Sequence, residues 1–245
     1  MNSPSVSVII PTLNEAHTLP QVLDRLGELD PKPDEIIVVD GGSEDGTMNI
    51  AKLFNIRCLS LPKKGRAAQL DFGVRQAQGD HVIFLHADTL VPLDLVACVQ
   101  RTLARPKVAL GGFIAIMKGK KVRTWFTFLN YIKTYVCPMF YRPGAFFRQR
   151  LLLLFGDQVM FCRKEDYLKA GGFDVENQVM EEADLCLKMS EMGRVTMLQR
   201  RVYSSDRRVN EWGFWKANRI YWSIAFGWVF GVSDKKLAIL YPDVR

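Results

Sequence analysis

The sequence predicts an α/β domain in which a mostly parallel sheet is flanked by helices. Short apolar, β-branched runs at residues 5–10, 35–40, 56–61 and 81–88 are typical of buried strands. The first three runs are each followed by a helical pattern, which gives strand-to-helix units of about 25 to 45 residues. Such units imply right-handed crossovers and parallel pairing. This is the organisation of a nucleotide-binding half-domain.

The elements can be justified in chain order. Pro11 ends the first strand because it has no N–H to give to a ladder. Apolar residues then recur at helical spacing from Leu19 to Leu26. A glycine-rich turn follows the second strand and leads into a short helix through Phe54, and a further helix is predicted at 67–78.

Composition bounds the class of protein. The chain has 245 residues, 48% of them hydrophobic, so it can bury a full core. We expect one domain, because no linker or repeat divides the chain. Five widely spaced cysteines include no C-x-x-C pair, which favours neither a zinc site nor disulfides and indicates a cytoplasmic setting. The N-terminus lacks signal-peptide features, and the longest uncharged C-terminal run, at 220–233, is shorter than the roughly 18 residues of a membrane span.

Two predicted strands end on a carboxylate. Asp40 follows the second strand and Asp88 the fourth, at the sheet edge where open α/β proteins bind ligands. Lys63, Lys64 and Arg66 lie between them, just before a predicted helix N-terminus where a phosphate could bind. Each aspartate also has a structural interpretation, because Asp88 can cap the next helix and Asp40 can serve a tight turn.

A basic, aromatic segment occupies residues 118–156. It has ten aromatic residues, no acidic residue and eight basic ones: Lys118, Lys120, Lys121, Arg123, Lys133, Arg142, Arg148 and Arg150. No nucleic-acid-binding module is present in it. Three interpretations remain open: helices at an anionic membrane surface, the wall of an acceptor groove, or helices covering the sheet. The tryptophan-rich run at 212–232 leaves a core helix, an interfacial helix or a homodimer contact open.

Four motifs in chain order resemble the nucleotide-sugar-binding half of family 2 glycosyltransferases with the GT-A fold. They are S-V-I-I-P-T-L-N-E, I-I-V-V-D-G-G-S-E-D-G-T, G-R-A-A-Q-L-D-F-G and V-I-F-L-H-A-D-T. The resemblance continues through G-D-Q-V-M-F, A-G-G-F-D and M-E-E-A-D-L-C-L-K-M, and it covers about residues 5–205. L-H-A-D-T, G-D-Q and the closing Y-P-D-V-R also resemble the bacterial subgroup associated with radical-SAM and selenium-linked proteins.

The resemblance implies a binding site for a nucleoside-diphosphate sugar. Asp40 would read the base, Arg66 would close over it, and Asp88 would bind a divalent metal, Mn²⁺ or Mg²⁺, that bridges the diphosphate. His86 replaces the first carboxylate of the family's D-x-D motif and leaves the metal's identity open, because Mn²⁺ tolerates imidazole better than Mg²⁺. The residues implied in donor binding are Pro11, Asn14, Glu15, Asp40, Arg66, Ala87 and Asp88.

Glu182 is the predicted general base. On a helix from Glu181 to Met192, Glu182 shares the inward stripe of Leu185, whereas Glu181 and Asp184 fall on the side predicted to be solvated. In family 2 enzymes the second acid at this place is the base, and here it is glutamate instead of aspartate. The resemblance assigns the acceptor or diphosphate side to a further group: Asp157, Gln158, Glu181, Asp184, Arg207 and Arg208.

The sequence therefore predicts a single GT-A-like domain at 1–245, with a nucleotide-sugar half at 1–117, the basic insertion, an acceptor half at 157–205 and a helical extension at 206–245. The expected activity is inverting transfer of a sugar to a hydroxyl, with UDP favoured over GDP, in the cytoplasm or at the inner face of the membrane. Two alternatives stay open: a nucleotide-sugar-binding scaffold without catalysis, and a nucleotidyltransferase on a similar sheet. The donor sugar and the acceptor are not predicted.

Overall fold

The computed structural model describes residues 3–61, 65–119, 123–149 and 151–241. Lys63, Lys64, Lys120, Lys121, Arg150 and the last four residues, which include most of Y-P-D-V-R, lie outside these ranges. The strands are β1 Val6–Thr12, β2 Glu35–Asp40, β3 Arg57–Ser60, β4 His81–Phe84, β5 Val108–Lys118, β6 Phe161–Arg163 and β7 Arg194–Ser205.

The strands form one sheet in the order β3-β2-β1-β4-β6-β5-β7. The first four are parallel neighbours, β6 is antiparallel to both β4 and β5, and β5 is parallel to β7. In the register, Thr12 lies opposite Asp40 and Ile9 opposite Phe84. The carboxyl ends of β1, β2 and β4 therefore lie at one edge, and the predicted fold class is confirmed.

Helices cover both faces of the sheet and extend beyond one edge. Their bounds are α1 Leu19–Gly27, α2 Thr47–Leu53, α3 Arg66–Gln76, α4 Leu95–Leu103, α5 Thr124–Tyr141, α6 Pro143–Gln149, α7 Lys164–Lys169, α8 Glu181–Ser190, α9 Arg207–Trp212, α10 Phe214–Val229 and α11 Asp234–Ile239. A short 3₁₀ turn, Gly156–Gln158, precedes β6. Within the described ranges, none of the helices combines the length and apolar character needed to cross a bilayer.

Two strand ends differ from the prediction. β1 continues through Pro11 to Thr12, whereas we expected Pro11 to end it. Beyond Ile9 the register pairs β1 only with β2, so the missing N–H of Pro11 can fall on the unpaired side. β4 ends at Phe84, so the prediction that it runs to Asp88 was wrong, and Asp88 lies in the loop that follows.

Alternate residues of the strands pack into two cores. Val8 and Ile10 of β1 face α1 and α4, whereas Ile9 faces the core that contains α3 and α8. A third, smaller cluster joins α5 to the C-terminal helices through side chains such as Phe126 and Ile220. The basic segment therefore covers the sheet and packs against the C-terminal helices, which places α5 and α10 side by side near the carboxyl edge.

Candidate functional site

A cleft of about 760 Å³ opens at the carboxyl edge of the parallel strands. Its lining combines the ends of β1 and β4 with parts of α3, α5, α8 and the C-terminal helices. Ten of the predicted site residues line it: Pro11, Glu15, Arg66, His86, Ala87, Asp88, Asp157, Glu182, Arg207 and Arg208. The remaining predicted residues, Asn14, Asp40, Gln158, Glu181 and Asp184, do not line it.

Glu182 lies in the first turn of α8 and reaches the cleft. The helix starts after Met180, which has a left-handed φ of 58°. The Glu182 side chain is 4% exposed, and its Oε1 lies 3.1 Å from Arg66 Nη2 without a hydrogen-bond geometry to any described group. A buried carboxylate oxygen that faces a cleft and lacks a hydrogen bond can accept one from a ligand.

Gly156 brings Glu182 and His86 together. A Cβ at this position would lie 2.4 Å from Glu182 Oε1 and 2.6 Å from His86 Nε2. Both side chains therefore occupy the space that any other residue would fill. Burial, followed by the charges of Arg66 and Arg208, holds the pKa of His86 well below its usual value, so this ring is neutral at pH 7.

Glu181 corrects one sequence prediction. We expected it on the solvated side of α8, but it is 1% exposed and its Oε1 accepts a hydrogen bond from Arg66 Nε at 2.7 Å. The prediction was wrong because α8 begins at Glu181, and Arg66 at the start of α3 covers that first turn. Burial raises the pKa of Glu181 to about 7 against the opposing effect of Arg66. Asp184, one turn on, forms a 2.8 Å ion pair with Lys188 and is partly exposed, as the helical pattern predicts.

Asp88 lies beside an ion pair. Arg207 Nη2 and Nη1 donate to the two carboxylate oxygens of Glu15 at 2.9 and 3.2 Å. Among the described residues, Thr89 Oγ1 donates a long hydrogen bond of 3.4 Å to Asp88 Oδ1. Burial and then the Glu15 charge raise the pKa of Asp88, whereas Arg207 and Arg208 lower it. Asp88 is thus a half-buried carboxylate whose oxygens are open to a cation.

Asp40 is held by the turn that follows β2. Its Oδ2 accepts hydrogen bonds from the N–H groups of Gly42 and Ser43 at 2.9 and 2.8 Å, and its Oδ1 accepts from the hydroxyls of Ser43 and Thr12. Asn14 also belongs to this turn, because its Oδ1 accepts from the N–H of Glu44. The prediction that Asp40 and Asn14 hold the nucleoside stays a prediction.

The acceptor-side candidates divide in the same way. Gln158 is 2% exposed and fastens the 3₁₀ turn to α5, because its Nε2 donates to Thr134 Oγ1 at 3.1 Å and its Oε1 accepts from Phe155 N at 2.8 Å. Asp157 instead lines the cleft, where Asn130 Nδ2 donates to it. Burial raises the pKa of Asp157, opposed mainly by Lys133.

Lys133 and Arg208 add positive charge to the cleft. Lys133 Nζ lies 4.7 Å from the ring centre of Phe155 and 5.3 Å from that of Tyr221, and burial lowers its pKa. Arg208 lies 4.7 Å above the Tyr241 ring, and its buried Nε has no hydrogen-bond partner in the described ranges. Our sequence reasoning included Lys133 only in a count of charges and did not consider Asn130. The signal was present, since both lie on the apolar stripe of α5 that contains Phe126 and Leu129.

No group of three or more histidine, cysteine, aspartate or glutamate side chains that could hold a metal ion exists in the described part of the chain. His86 and Asp88 still fit a site that is completed by a ligand. Magnesium and manganese ions commonly take one or two carboxylates and fill their remaining positions with substrate phosphates and water.

Comparison of the sequence with known proteins finds similarity to glycosyltransferases. The family model for glycosyl transferase family 2 matches residues 7–169. A PGL/p-HBAD biosynthesis glycosyltransferase of Mycobacterium bovis is 36% identical over 106 residues, which cover 40% of this chain and 41% of that protein. A cholesterol galactosyltransferase of Borreliella burgdorferi is 36% identical over 91 residues, covering 35% of this chain and 25% of that protein. The chain thus aligns with about two fifths or less of the length of these curated relatives.

Two solved structures share the fold. A mannosyltransferase from Pyrobaculum calidifontis, in complex with GDP-Man and Mn²⁺, superposes with a TM-score of 0.71 at 22% identity and covers 100% of this chain and 67% of its own. The glucosyl-3-phosphoglycerate synthase of Mycobacterium tuberculosis, in complex with Mn²⁺, UDP and phosphoglyceric acid, gives a TM-score of 0.65 at 20% identity and covers 94% and 80%. At these identities the likeness concerns the fold alone. With a family model that spans most of its sequence, the chain belongs to glycosyl transferase family 2.

Proposed function

We propose that the protein transfers a sugar from a nucleoside-diphosphate sugar to an acceptor hydroxyl with inversion at the anomeric carbon. The observation that supports this most is the convergence of Glu182, Asp88 and His86 on one cleft at the carboxyl edge of a GT-A-like sheet. A single displacement at the anomeric carbon requires a general base and a site that stabilises the departing diphosphate, and both must lie in one cleft. UDP is proposed as the nucleotide in preference to GDP, as expected from the sequence.

Glu182 is the proposed base. Its buried Oε1, which accepts no hydrogen bond from the described residues, can accept the proton of an acceptor hydroxyl, and the ion pair with Arg66 at 3.1 Å keeps the carboxylate in place. Removing that proton as the oxygen attacks makes the acceptor a better nucleophile. Attack from the face opposite the departing diphosphate inverts the anomeric configuration.

Asp88 is the residue that would hold a divalent metal ion, with His86 as a second ligand if the metal is Mn²⁺. When bound, the ion would offset the negative charge of the diphosphate. Relatives of known structure carry Mn²⁺ with GDP-Man or UDP, which supports the same class of donor here. Arg208, whose buried Nε has no hydrogen-bond partner among the described residues, is proposed to bind a diphosphate oxygen, because Arg207 is engaged by Glu15.

Lys133, Asn130 and Asp157 are proposed to form the acceptor side. They lie on α5 and the 3₁₀ turn, next to the aromatic rings of Phe155 and Tyr221. The narrower likeness to the subgroup associated with radical-SAM and selenium-linked proteins is also kept as a proposal, and it rests on L-H-A-D-T and G-D-Q. Contact with a membrane surface, a homodimer and a cytoplasmic location belong to the proposal as well.

The test is Glu182→Gln, assayed as release of nucleoside diphosphate from UDP- and GDP-sugars over a panel of hydroxyl acceptors. We expect kcat to fall by about 100- to 10,000-fold, with donor-induced stabilisation against heat unchanged. Glu191→Gln, at the exposed C-terminal end of the same helix and outside the cleft, is the matched control and should keep wild-type turnover. Equal turnover in Glu182→Gln and wild type would refute the assignment. Donor binding without release by any form would favour the scaffold, and pyrophosphate from a nucleoside triphosphate would favour the nucleotidyltransferase.

A further inference from the structure

Helices α5 and α10 carry an exposed aromatic face on the side away from the cleft. On α10, Trp215, Arg219, Phe226 and Phe230 recur at spacings that place them on one stripe. Trp215 is 83% exposed and Phe230 81%. The aromatic face is defined by Trp125, Phe128, Phe214, Trp215, Phe226 and Phe230.

The face is continuous across the two helices at the start of α10. Trp125 lies 6.2 Å from Phe128 and 6.4 Å from Phe214 between ring centres, and Phe214 lies 5.2 Å from Trp215. Trp125 Nε1 also donates to Asn218 Oδ1 at 2.9 Å, which ties α5 to α10. Exposed aromatic groups of this extent on a folded domain mark an interaction surface, because water solvates them poorly.

The charge around the face selects the partner. No acidic residue occurs in 118–156 or in 212–233, whereas Lys216 and Arg219 are exposed beside Trp215. Aromatic side chains with flanking cations on a helix too short to span a bilayer are the composition of a helix that lies at the headgroup level. An isologous contact between two copies would instead oppose two cationic surfaces.

We propose that the aromatic face docks the protein on the surface of a bilayer that contains anionic phospholipid. The aromatic rings enter the headgroup region, and Lys216 and Arg219 contact lipid phosphates.

Docking has a consequence that rests on the proposed transferase function. The inner sides of the same helices carry Asn130, Lys133 and Tyr221, which line the cleft. One helix diameter, about 10 Å, therefore separates the aromatic face from the acceptor side. The acceptor class that this arrangement fits is a hydroxyl-bearing amphiphile resident in the membrane.

The test measures co-sedimentation of the full chain with vesicles of phosphatidylcholine alone and with about 30% phosphatidylglycerol. We expect binding to the anionic vesicles that weakens about fivefold for each of Lys216→Gln and Arg219→Gln. The double variant Trp215→Ser, Phe230→Ser should weaken it by at least about tenfold. Leu53→Ser and Lys52→Gln are matched controls, since Leu53 is 85% exposed and Lys52 is exposed on α2 and neither should change binding.

The outcomes separate the docking surface from the transferase. The docking proposal would be overturned if the wild type bound neither kind of vesicle, or if the Lys216, Arg219, Trp215 and Phe230 variants bound as well as the wild type. Dimers that dissociate in Trp215→Ser, Phe230→Ser without any vesicle binding would assign the face to a second copy. Nucleoside-diphosphate stabilisation, measured on the same variants, should stay at the wild-type level, because these residues lie outside the cleft. If nucleoside diphosphates did not stabilise the wild type either, the transferase proposal would be weakened, whereas the vesicle-binding result would still stand.

Discussion

Replacing Gly156 by alanine is expected to disable the candidate site while leaving the fold in place. The added Cβ would stand 2.4 Å from Glu182 Oε1 and 2.6 Å from His86 Cε1 and Nε2, well inside van der Waals contact. The Glu182 carboxylate is the end of a flexible side chain and can turn, but it is 4% exposed and has little room. The His86 ring is half-buried and rigid, so one of the two must move by close to an ångström.

A displacement of that size costs about 100-fold in turnover when it affects a group that must be aligned with the reacting atoms. The accompanying overpacking should lower the free energy of unfolding by about 1 to 3 kcal/mol. Both are measurable, by nucleoside-diphosphate release under saturating donor and by urea unfolding. Gly27→Ala is the control, because a Cβ there meets nothing within 4 Å and its φ is not left-handed. Wild-type turnover in Gly156→Ala would show that the positions of Glu182 and His86 do not matter to the reaction.

Three further predictions concern the same cleft. Chelation of divalent metal, or Asp88→Asn, should abolish the metal-dependent part of the UDP-induced rise in melting temperature, and an unchanged rise in Asp88→Asn would exclude Asp88 as the ligand. Lys133→Met should raise the KM for acceptor at least about tenfold with donor-induced stabilisation unchanged, whereas an altered donor response would move Lys133 to the donor side. The pKa of Glu181 is raised to about 7 from its ordinary 4.5, so the carboxyl contributes stability that is present below pH 4.5 and is lost as the pH rises to 7. Glu181→Gln should therefore flatten the fall in unfolding free energy between pH 4.5 and 7, and urea unfolding curves with the wild-type pH dependence would contradict this.

The parallel half of the sheet could be predicted because its strands are continuous apolar runs that alternate with helices. The long strands β5 and β7 of the other half could not be predicted in this way. β5 contains Gly111 and Gly112, which in a sequence indicate a turn more readily than a strand. The structure explains them by close packing, since a Cβ at Gly111 would lie 2.2 Å from Cζ of Phe161 on the neighbouring strand. Pairing between strands so far apart in the sequence leaves no local pattern to detect.

The site residues also fall into a group that the sequence predicts and a group that only the packing of the chain brings into place. Acidic residues at strand ends and at the start of α8 carry their own sequence signal, and Asp88 and Glu182 do lie in one cleft. Two of the positive side chains, Lys133 and Arg208, come from α5 and α9, whose positions depend on how the C-terminal helices pack. Sequence reasoning therefore named Lys133 only as one of several charges, and it did not place Arg207 at the start of α9, where Arg207 binds Glu15.

The two strand-end aspartates show why position alone does not assign a role. Asp40 ends β2 and Asp88 follows β4, the two parallel strands on either side of β1, and Asp40 is buried whereas Asp88 is half-buried. Asp40 accepts four hydrogen bonds from its own turn and from Thr12, so a ligand that used it would have to share or displace bonds that already hold the loop. Asp88 accepts one long hydrogen bond from the described residues and faces the cleft, so a cation or a hydrogen-bond donor would relieve an unfavourable burial there. The free-energy gain from binding a metal ion or another cation is therefore larger at Asp88 than at Asp40. The diphosphate and its metal ion are expected beside Asp88, and the proposed base, Glu182, lies on the other side of Gly156.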